Sequence, residues 1–532
     1  MSSIDSVALG PDHTPYDQIP YPGSAVLQAH PNRLAAMARL FGIAAASPSS
    51  ARVLELGCSD GGNLLPMAET APHSTFLGID ASKVQIEAGQ KVIQAVGLRN
   101  VELRHQDILT FSEEEGLFDY IIVHGIYSWV PAPVREKILS IAATNLSPNG
   151  IAYISYNALP GATIVSSLRE LLFFHTAAIP DTMAKLKQAR ALCKFLSDSV
   201  SIQNNAYGLL LREELQRVER SSDFYFRHEF LAEENTAFYF HEFHGQATRH
   251  GLQYVSEPSL ARMSASNFAG KADESPATIK ELVAQEQFQD ILRNCRFRQT
   301  LLCRSTVAVR RRIAAGSMRD FAFQSCFQGP KEGIDLTEGV SVDFTIEETP
   351  CFKVSGAFLK AVCQILSEAP GRAISYVDLL ATARKRSRPV VSAVAVDRNE
   401  FEEVTLQNDL MNLCANGFVV IHAEPVEVNP AVPEKPCVSR LVRHQALHSL
   451  KITNCLHQCI SPNVLTRHTI TECNGNHTHD EILSALLARI AEGKIAIADA
   501  GQPIVGEARL RVVMRPLLDR VLGDLALQGF FL

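Results

Sequence analysis

The stretch Arg52–Asp80, RVLELGCSDGGNLLPMAETAPHSTFLGID, constrains the fold more than any other part of the chain. Val53, Leu54 and Leu56 form a short apolar run, the pattern of a strand covered on both faces in a parallel sheet. Gly57, Gly61 and Gly62 follow, and they let the backbone turn sharply and approach a ligand closely. Asn63 is expected to cap a helix through Leu64, Leu65, Met67 and Ala68. Thr75–Ile79 reads as a second strand that ends on Asp80. Strand, glycine turn, helix and strand in this order build an open α/β sheet. Such sheets bind ligands at the C-terminal edge of their strands, where an acid about 20 residues past the glycines grips ribose hydroxyls.

The same spacing excludes two ligand classes. A dinucleotide site needs G-x-G-x-x-G with helix N–H groups facing pyrophosphate, whereas Glu55–Gly62 reads E-L-G-C-x-x-G-G. No Lys-Ser/Thr follows, so the loop is not a P-loop, and Glu55 at its entrance repels phosphate. An acid before the glycines and another after them suit a cationic nucleoside. Glu55, Gly57 and Gly61 are expected at its amino-acid end and Asp80 at its ribose. Cys58, Asn63, Ala81 and Gln85 flank these positions and belong to the same candidate site. Asp107 and Ile108, at the tip of a third strand (Asn100–His105), suit an exocyclic amine and a purine face.

The strands continue with Phe118–Val123 and Ile151–Tyr156, joined by a helix that starts at Pro133. Residues 163–223 then carry three helical patterns, Ile164–Ile179, Thr182–Ser199 and Tyr207–Arg220, with no strand signal. The sheet resumes with a helix (Phe240–His250), Gly251, a strand (Leu252–Glu257) and an alternating run, Phe297–Arg304, that suits a last antiparallel strand. Residues 1–162 and 224–310 thus form one α/β domain of seven strands, and 163–223 is a helical insertion within it. A helical hairpin held out from a sheet needs a surface to bury its apolar face, so a homodimer is expected. Residues 1–24, with Tyr16 and Tyr21, are either a lid or a disordered arm.

Beyond a linker to about residue 340, helix, short strand, two helices and a strand over 340–425 suggest a winged-helix-like domain. Glu400, Glu402 and Glu403 on its last helix are wrong for reading a DNA groove. Residues 437–532 read as a mostly helical domain. It holds four cysteines and six histidines between Cys437 and His479; His444 and His448 have metal-ligand spacing on one helix face, but no second pair sits at finger-like spacing, so no metal site is expected.

Two further tips carry candidate chemistry. HGIYSWVP, His124–Pro131, follows the fourth strand and holds the one Trp of the chain, Trp129, together with His124 and Tyr127. SYNALPG, Ser155–Gly161, follows the fifth and adds Tyr156 and Asn157. In a 3-2-1-4-5 strand order the two tips are neighbours, so Tyr127, Trp129, Tyr156 and Asn157 are expected to converge. An aromatic pocket disfavours an ammonium and holds a methylated cation by about 0.5–2 kcal/mol per ring. Asn157 can accept an amine hydrogen. His124 can take the proton or line the donor site.

Whole-chain totals narrow the setting. The net charge of −7 argues against nucleic acid as a main partner. No apolar run approaches the ~20 residues of a membrane span, and the N-terminus lacks the basic and apolar regions of a secretion signal. The 12 cysteines contain no C-x-x-C pair, which suits reduced thiols in a cytoplasm.

The glycine loop with its two acids resembles that of class I S-adenosylmethionine (SAM) methyltransferases. The further combination of Q-x-H-P-x-x-L (Gln28–Leu34), VLELGC-x-x-GGNLLPMA (Val53–Ala68), HG-x-YSWVP, SYN-x-x-PG and FRQTLLC (Phe297–Cys303) resembles bacterial methyltransferases with a C-terminal methyltransferase regulatory domain, a group that includes rickettsial-type lysine methyltransferases of outer-membrane proteins. The resemblance implies a Rossmann-like methyltransferase sheet, SAM as cofactor, a dimerising insertion, added C-terminal modules and lysine side chains of a protein as acceptor. It is strong to about residue 305 and thin beyond, where CNGN (Cys473–Asn476) stands in place of an L-D-G-T-like stretch. A small-molecule acceptor, or a SAM-sensing regulator with a DNA-binding winged helix, remains open on the residues alone.

Overall fold

The computed structural model describes residues 23–263, 281–387, 396–499, 502–503 and 506–532. The expected arm, with Tyr16 and Tyr21, lies outside the described residues except for its last two. Helix α1 (Pro31–Leu40) precedes a seven-stranded sheet of β1 (Arg52–Leu56), β2 (Thr75–Asp80), β3 (Val101–His105), β4 (Phe118–Val123), β5 (Leu146–Asn157), β6 (Leu252–Ser256) and β7 (Phe297–Arg304). Its order is β3-β2-β1-β4-β5-β7-β6, and β7 runs antiparallel to both neighbours.

Both faces of the sheet are buried, as the apolar runs require. Val53, Tyr120, Ile122 and Tyr153 point into one core, and Leu54, Leu56, Ile121, Val123 and Ile154 into the other. Each such side chain contributes roughly 1.5–3 kcal/mol by leaving water. Helices α2 (Leu64–Thr70), α3 (Lys83–Val96) and α4 (Ala132–Asn145) cover these faces. Ser82 caps α3 by accepting from Gln85 N, and Gly97 ends it in the left-handed region at φ 78°.

The insertion holds four helices rather than three: α5 (Thr163–Thr176), α6 (Thr182–Ser199), α7 (Ala206–Arg220) and α8 (Asp223–Phe230). The helical excursion therefore runs past residue 223. Phe226 and Phe230 of α8 complete a separate core with Leu168, Leu172, Leu186, Leu215 and Val218. The aromatic-rich DFYFRHEF has no clear 3.6-residue stripe, and its helix is set by this packing. Helices α9 (Phe240–Arg249), α10 (Leu260–Met263) and α11 (Leu282–Arg293) return the chain to β6 and β7.

The middle unit begins earlier than residue 340. Its three-stranded sheet is ordered β11-β8-β12, and the central strand β8 is Ala322–Ser325, with β11 at Ile374–Ser375 and β12 at Val419–His422. A hairpin of β9 (Val342–Ile346) and β10 (Thr349–Val354) and helices α12 (Ala357–Glu368), α13 (Tyr376–Ser387) and α14 (Val396–Ala415) complete it. Its core is continuous with that of α1 and one face of the large sheet. Asn32 of α1 clasps the chain beyond β12, donating to Glu424 O and accepting from Ala423 N and Glu424 N. The acids on α14 serve inside the unit: Glu402 pairs with Arg384, and Glu403 with Arg319 and Arg384.

The last unit packs α15 (Arg440–His448), α16 (Val464–Glu472), α17 (His479–Ala491) and α18 (Glu507–Leu527) around Ile470, Ile482, Leu486, Met514 and Leu522. It docks on the large sheet's helices: Leu441 packs with Leu65 and Val96, and its N–H donates to Glu69. Among the described residues, no group of three or more His, Cys, Asp or Glu could hold a metal ion, and no helix is long and apolar enough to cross a membrane. All twelve cysteines are free thiols.

Candidate active site

The β1–α2 loop turns as its glycines require. Gly57 N and Cys58 N both donate to Ile79 O at the tip of β2, which locks the loop to the neighbouring strand. Gly57 has φ 74°, and a Cβ there would stand 2.4 Å from Ile126. Asp80 accepts from Ser59 N and Ser82 N, both at 2.8 Å. Its carboxylate is thereby fixed at the strand edge, where it lines the cavity.

Glu55, Gly57, Cys58, Asn63, Asp80, Ala81, Gln85, Asp107, Ile108 and His124 line one cavity of about 810 Å³. Gly61 does not. Its φ of 79° makes the turn, and a Cβ there would meet Leu103 and Leu65 of the core. Asn63 is not a side-chain cap either. It makes no cap hydrogen bond, because its amide is committed elsewhere: Nδ2 donates to Glu55 Oε1 at 2.8 Å, and Oδ1 accepts from Val26 N at 2.9 Å.

Glu55 is the titratable group of greatest consequence. It is buried, and its other oxygen, Oε2, has no hydrogen-bond partner. Desolvation, opposed by the Asn63 hydrogen bond and helped by Asp80 and Asp60, pushes its pKa up to about 8. A buried, unpartnered carboxylate oxygen aimed into a cavity is complementary to a ligand cation. SAM carries such an ammonium beside a nucleoside, so the donor set fits it.

The cavity continues past the loop. Trp129 and Asn157 line it, as expected, together with Val165, Arg217, Tyr225, Glu229 and Asn235. Asn157 Nδ2 donates to Asn235 Oδ1 at 3.0 Å, so the Asn157 carbonyl is the end left to accept. Trp129 lies under Arg169, whose guanidinium carbon is 5.7 Å from the ring centroid. Arg169 in turn donates to the carbonyls of Glu229 and Ala232. Among the described residues the Glu229 carboxylate has no hydrogen bond or salt bridge; burial pushes its pKa up to about 7 against the opposing charges of Arg169, Arg296 and Arg217. Tyr225 and Glu229 sit on α8, the helix that periodicity did not reveal.

Tyr127 and Tyr156 do not join this wall. They are 0% and 1% exposed and stack among Phe238 and Phe243 in the core. The Tyr127 hydroxyl donates to Gln246, and that of Tyr156 meets Thr300. Strand alternation and the short turn at Tyr127–Trp129 send these rings inward and leave Trp129 facing out. His124 does line the cavity but is a poor base. Burial holds its pKa down at about 4, and Nδ1 lies 3.0 Å from the Tyr153 hydroxyl.

This strand order, with an acid-framed glycine loop at the C-terminal edge of β1 and a cavity opening beyond it, defines a class I SAM-dependent methyltransferase. Three family models match: a methyltransferase domain over residues 47–219, a "Predicted methyltransferase regulatory domain" over 222–304, and "PKMT, C-terminal winged helix domain" over 434–530. The chain is 32% identical over 530 residues to uncharacterized protein RP789 of Rickettsia prowazekii, covering 97% of this chain and 94% of the relative. It is 42% identical over 228 residues to protein RP028 of the same organism, covering 43% of this chain and 91% of the relative. The structure of PKMT2 from Rickettsia typhi in complex with AdoHcy superposes with a TM-score of 0.86 at 31% identity, covering 96% of this chain and 100% of that one. The chain belongs to this family of SAM-dependent methyltransferases with a regulatory region and a PKMT winged helix. The region matched as regulatory supplies β6 and β7 of the large sheet, so it is part of the catalytic domain's architecture. The winged-helix match falls on the last unit, which the sequence pattern presented as mostly helical.

Proposed function

We propose that this methyltransferase acts on lysine side chains of proteins. When bound, SAM would supply a sulfonium-bound methyl group, which passes in line to a nucleophile as the C–S bond breaks and leaves its electron pair on sulfur. Glu55 Oε2 would hold its ammonium, Asp80 its ribose, and Asp107 with Ile108 its adenine. The observation that carries the acceptor reading is the part of the cavity lining that holds Trp129, Tyr225 and the buried Glu229 carboxylate. A lysine must lose a proton before it attacks. A carboxyl with a pKa near 7 is matched to take that proton at neutral pH, and the N–H bond broken becomes an O–H bond on Glu229. Aromatic faces hold the alkylated cation. The Rickettsia typhi structure, solved in complex with AdoHcy, supports the donor side of this reading.

The test is transfer from methyl-labelled SAM to a cell lysate, followed by acid hydrolysis of the protein fraction. Label recovered as methyl-lysine is expected. Label confined to the low-mass fraction would replace the protein acceptor by a small molecule.

We further propose that the insertion mediates a homodimer. Phe174 is 82% exposed and Phe195 63%, and Leu171, Met183, Tyr207 and Leu209 of the same insertion are exposed too, a concentration of exposed apolar residues that supports an interface. Light scattering of Phe174→Asp with Phe195→Asp should give half the wild-type mass; an unchanged mass would dispose of that interface. A cytoplasmic location is proposed from the free thiols.

A further inference from the structure

The donor site is built partly by residues nearly four hundred positions downstream. The turn Asn454–Gln458 of the last unit is fixed from within. Asn454 Oδ1 accepts from Leu456 N and Gln458 N, and its Nδ2 donates to Gln528 O and Gln458 Oε1. His457, at the tip of this turn, has φ 59°, in the left-handed region that few non-glycine residues occupy. It is buried, and its ring lies 5.1 Å from that of His30 at the start of α1. Its Nε2 is 2.8 Å from Asn63 Oδ1.

The protons on this line are assigned by the unambiguous donor. Val26 N–H can only donate, so the Asn63 atom it meets is the carbonyl oxygen. His457 Nε2 must then donate to that oxygen as well, and Asn63 Nδ2 is left to donate to Glu55 Oε1. With one oxygen thus occupied, Glu55 presents Oε2 to the cavity. We propose that His457 is a positioning residue for the donor site: through Asn63 it fixes the orientation of Glu55, so that the winged-helix unit completes the SAM site rather than merely adjoining it.

Docking of that unit on α2 and α3 through Leu441 brings the turn to the loop, and the site has its full set of partners only in the docked arrangement. A neutral relay of this kind is also selective. An amide turned end for end would place its carbonyl against Glu55 and its NH2 against Val26 N–H. Two donors on Oδ1 disfavour that state more than one does.

The inference rests on the assignment of Glu55 to the donor's ammonium, which the proton-release titration of Glu55→Gln described below tests separately. Its own test is isothermal titration of the full chain with S-adenosylhomocysteine, for wild type, His457→Ala, His457→Gln, Asn63→Ala and the double variant Asn63→Ala with His457→Ala. Loss of one buried hydrogen bond in the relay should weaken binding about fivefold to tenfold in His457→Ala. His457→Gln, whose amide N–H can reach the same oxygen, should restore most of it. In the Asn63→Ala background, His457→Ala should change the affinity less than twofold, because the relay is already cut. Wild-type affinity in His457→Ala would overturn the proposal. So would a loss in His457→Gln as large as that in His457→Ala, or an equal loss in the Asn63→Ala background, since a residue that only secures the interface behaves in those ways. Thermal melts of each variant identify folded protein, and the glutamine variant keeps the test decisive if the alanine variant does not fold.

Discussion

Binding of the donor product should release a proton, and Glu55 should be its source. With a pKa of about 8 in the unliganded site, Glu55 is about 90% protonated at pH 7. A ligand ammonium about 3 Å from Oε2, at an effective dielectric of about 20, interacts with roughly 5 kcal/mol. That is about 4 pK units at 1.36 kcal/mol each, enough to bring Glu55 down to the ordinary carboxylate range. S-adenosylhomocysteine carries the same ammonium, so its binding at pH 7 should release about 0.9 proton. The sign follows from linkage. The free protein holds a proton that the complex gives up, so affinity should rise with pH by up to about tenfold per unit and level off near pH 8. Titrations in two buffers of different ionisation enthalpy measure the release directly. Glu55→Gln should bind more weakly, release no proton and lose the pH dependence. No release by the wild type, or equal release by Glu55→Gln, would refute the reasoning.

Other outcomes follow from the cavity wall and the loop. Trp129→Ala should keep S-adenosylhomocysteine affinity within about twofold while turnover falls by about twofold to thirtyfold, because one aromatic contact to the acceptor is worth about 0.5–2 kcal/mol; unchanged turnover would remove Trp129 from the acceptor site. Glu229→Gln should cost about 10²-fold or more in turnover and abolish a rise in rate through about pH 7, since Glu229 must be ionised to accept a proton; a retained pH limb would assign it elsewhere. Tyr127→Phe should leave KM and kcat unchanged and lower stability by about 1 kcal/mol through the lost bond to Gln246, as a denaturant melt would measure. Gly57→Ala should weaken donor binding and cost at least about 1 kcal/mol of stability, because φ 74° and the contact with Ile126 both disfavour a Cβ.

The proposed donor half of the site is legible in the sequence because its residues lie on one local unit. Glu55, Gly57 and Asp80 are placed by the β1–α2–β2 geometry alone, and period-2 burial with glycine spacing is enough to find them. The acceptor half depends on contacts that no local pattern records. Strand-edge position points to Trp129 and Asn157, which line the cavity, and equally to Tyr127 and Tyr156, which are buried in the core. Which way a ring points at a strand tip is decided by neighbours such as Phe243, contributed by a helix nearly ninety residues away in the chain. Glu229 sits on a short helix whose formation depends on the insertion's own core. Asn63 had the right residue type for a cap, but two long-range donors took its side chain instead. His457 lies 394 residues from its partner, at a turn whose sequence has no distinguishing signal. The middle sheet was misplaced at its start for a related reason: β8 is four residues long and gains its identity only by pairing with β11 and β12.

The most direct measurement is a crystal structure with S-adenosylhomocysteine. It should show the ligand's ammonium within hydrogen-bond distance of Glu55 Oε2, its ribose on Asp80, and its sulfur facing the side of the cavity that holds Trp129 and Glu229. A ligand seated away from Glu55, or with its sulfur turned from that wall, would contradict a donor site and an acceptor site built into one chamber.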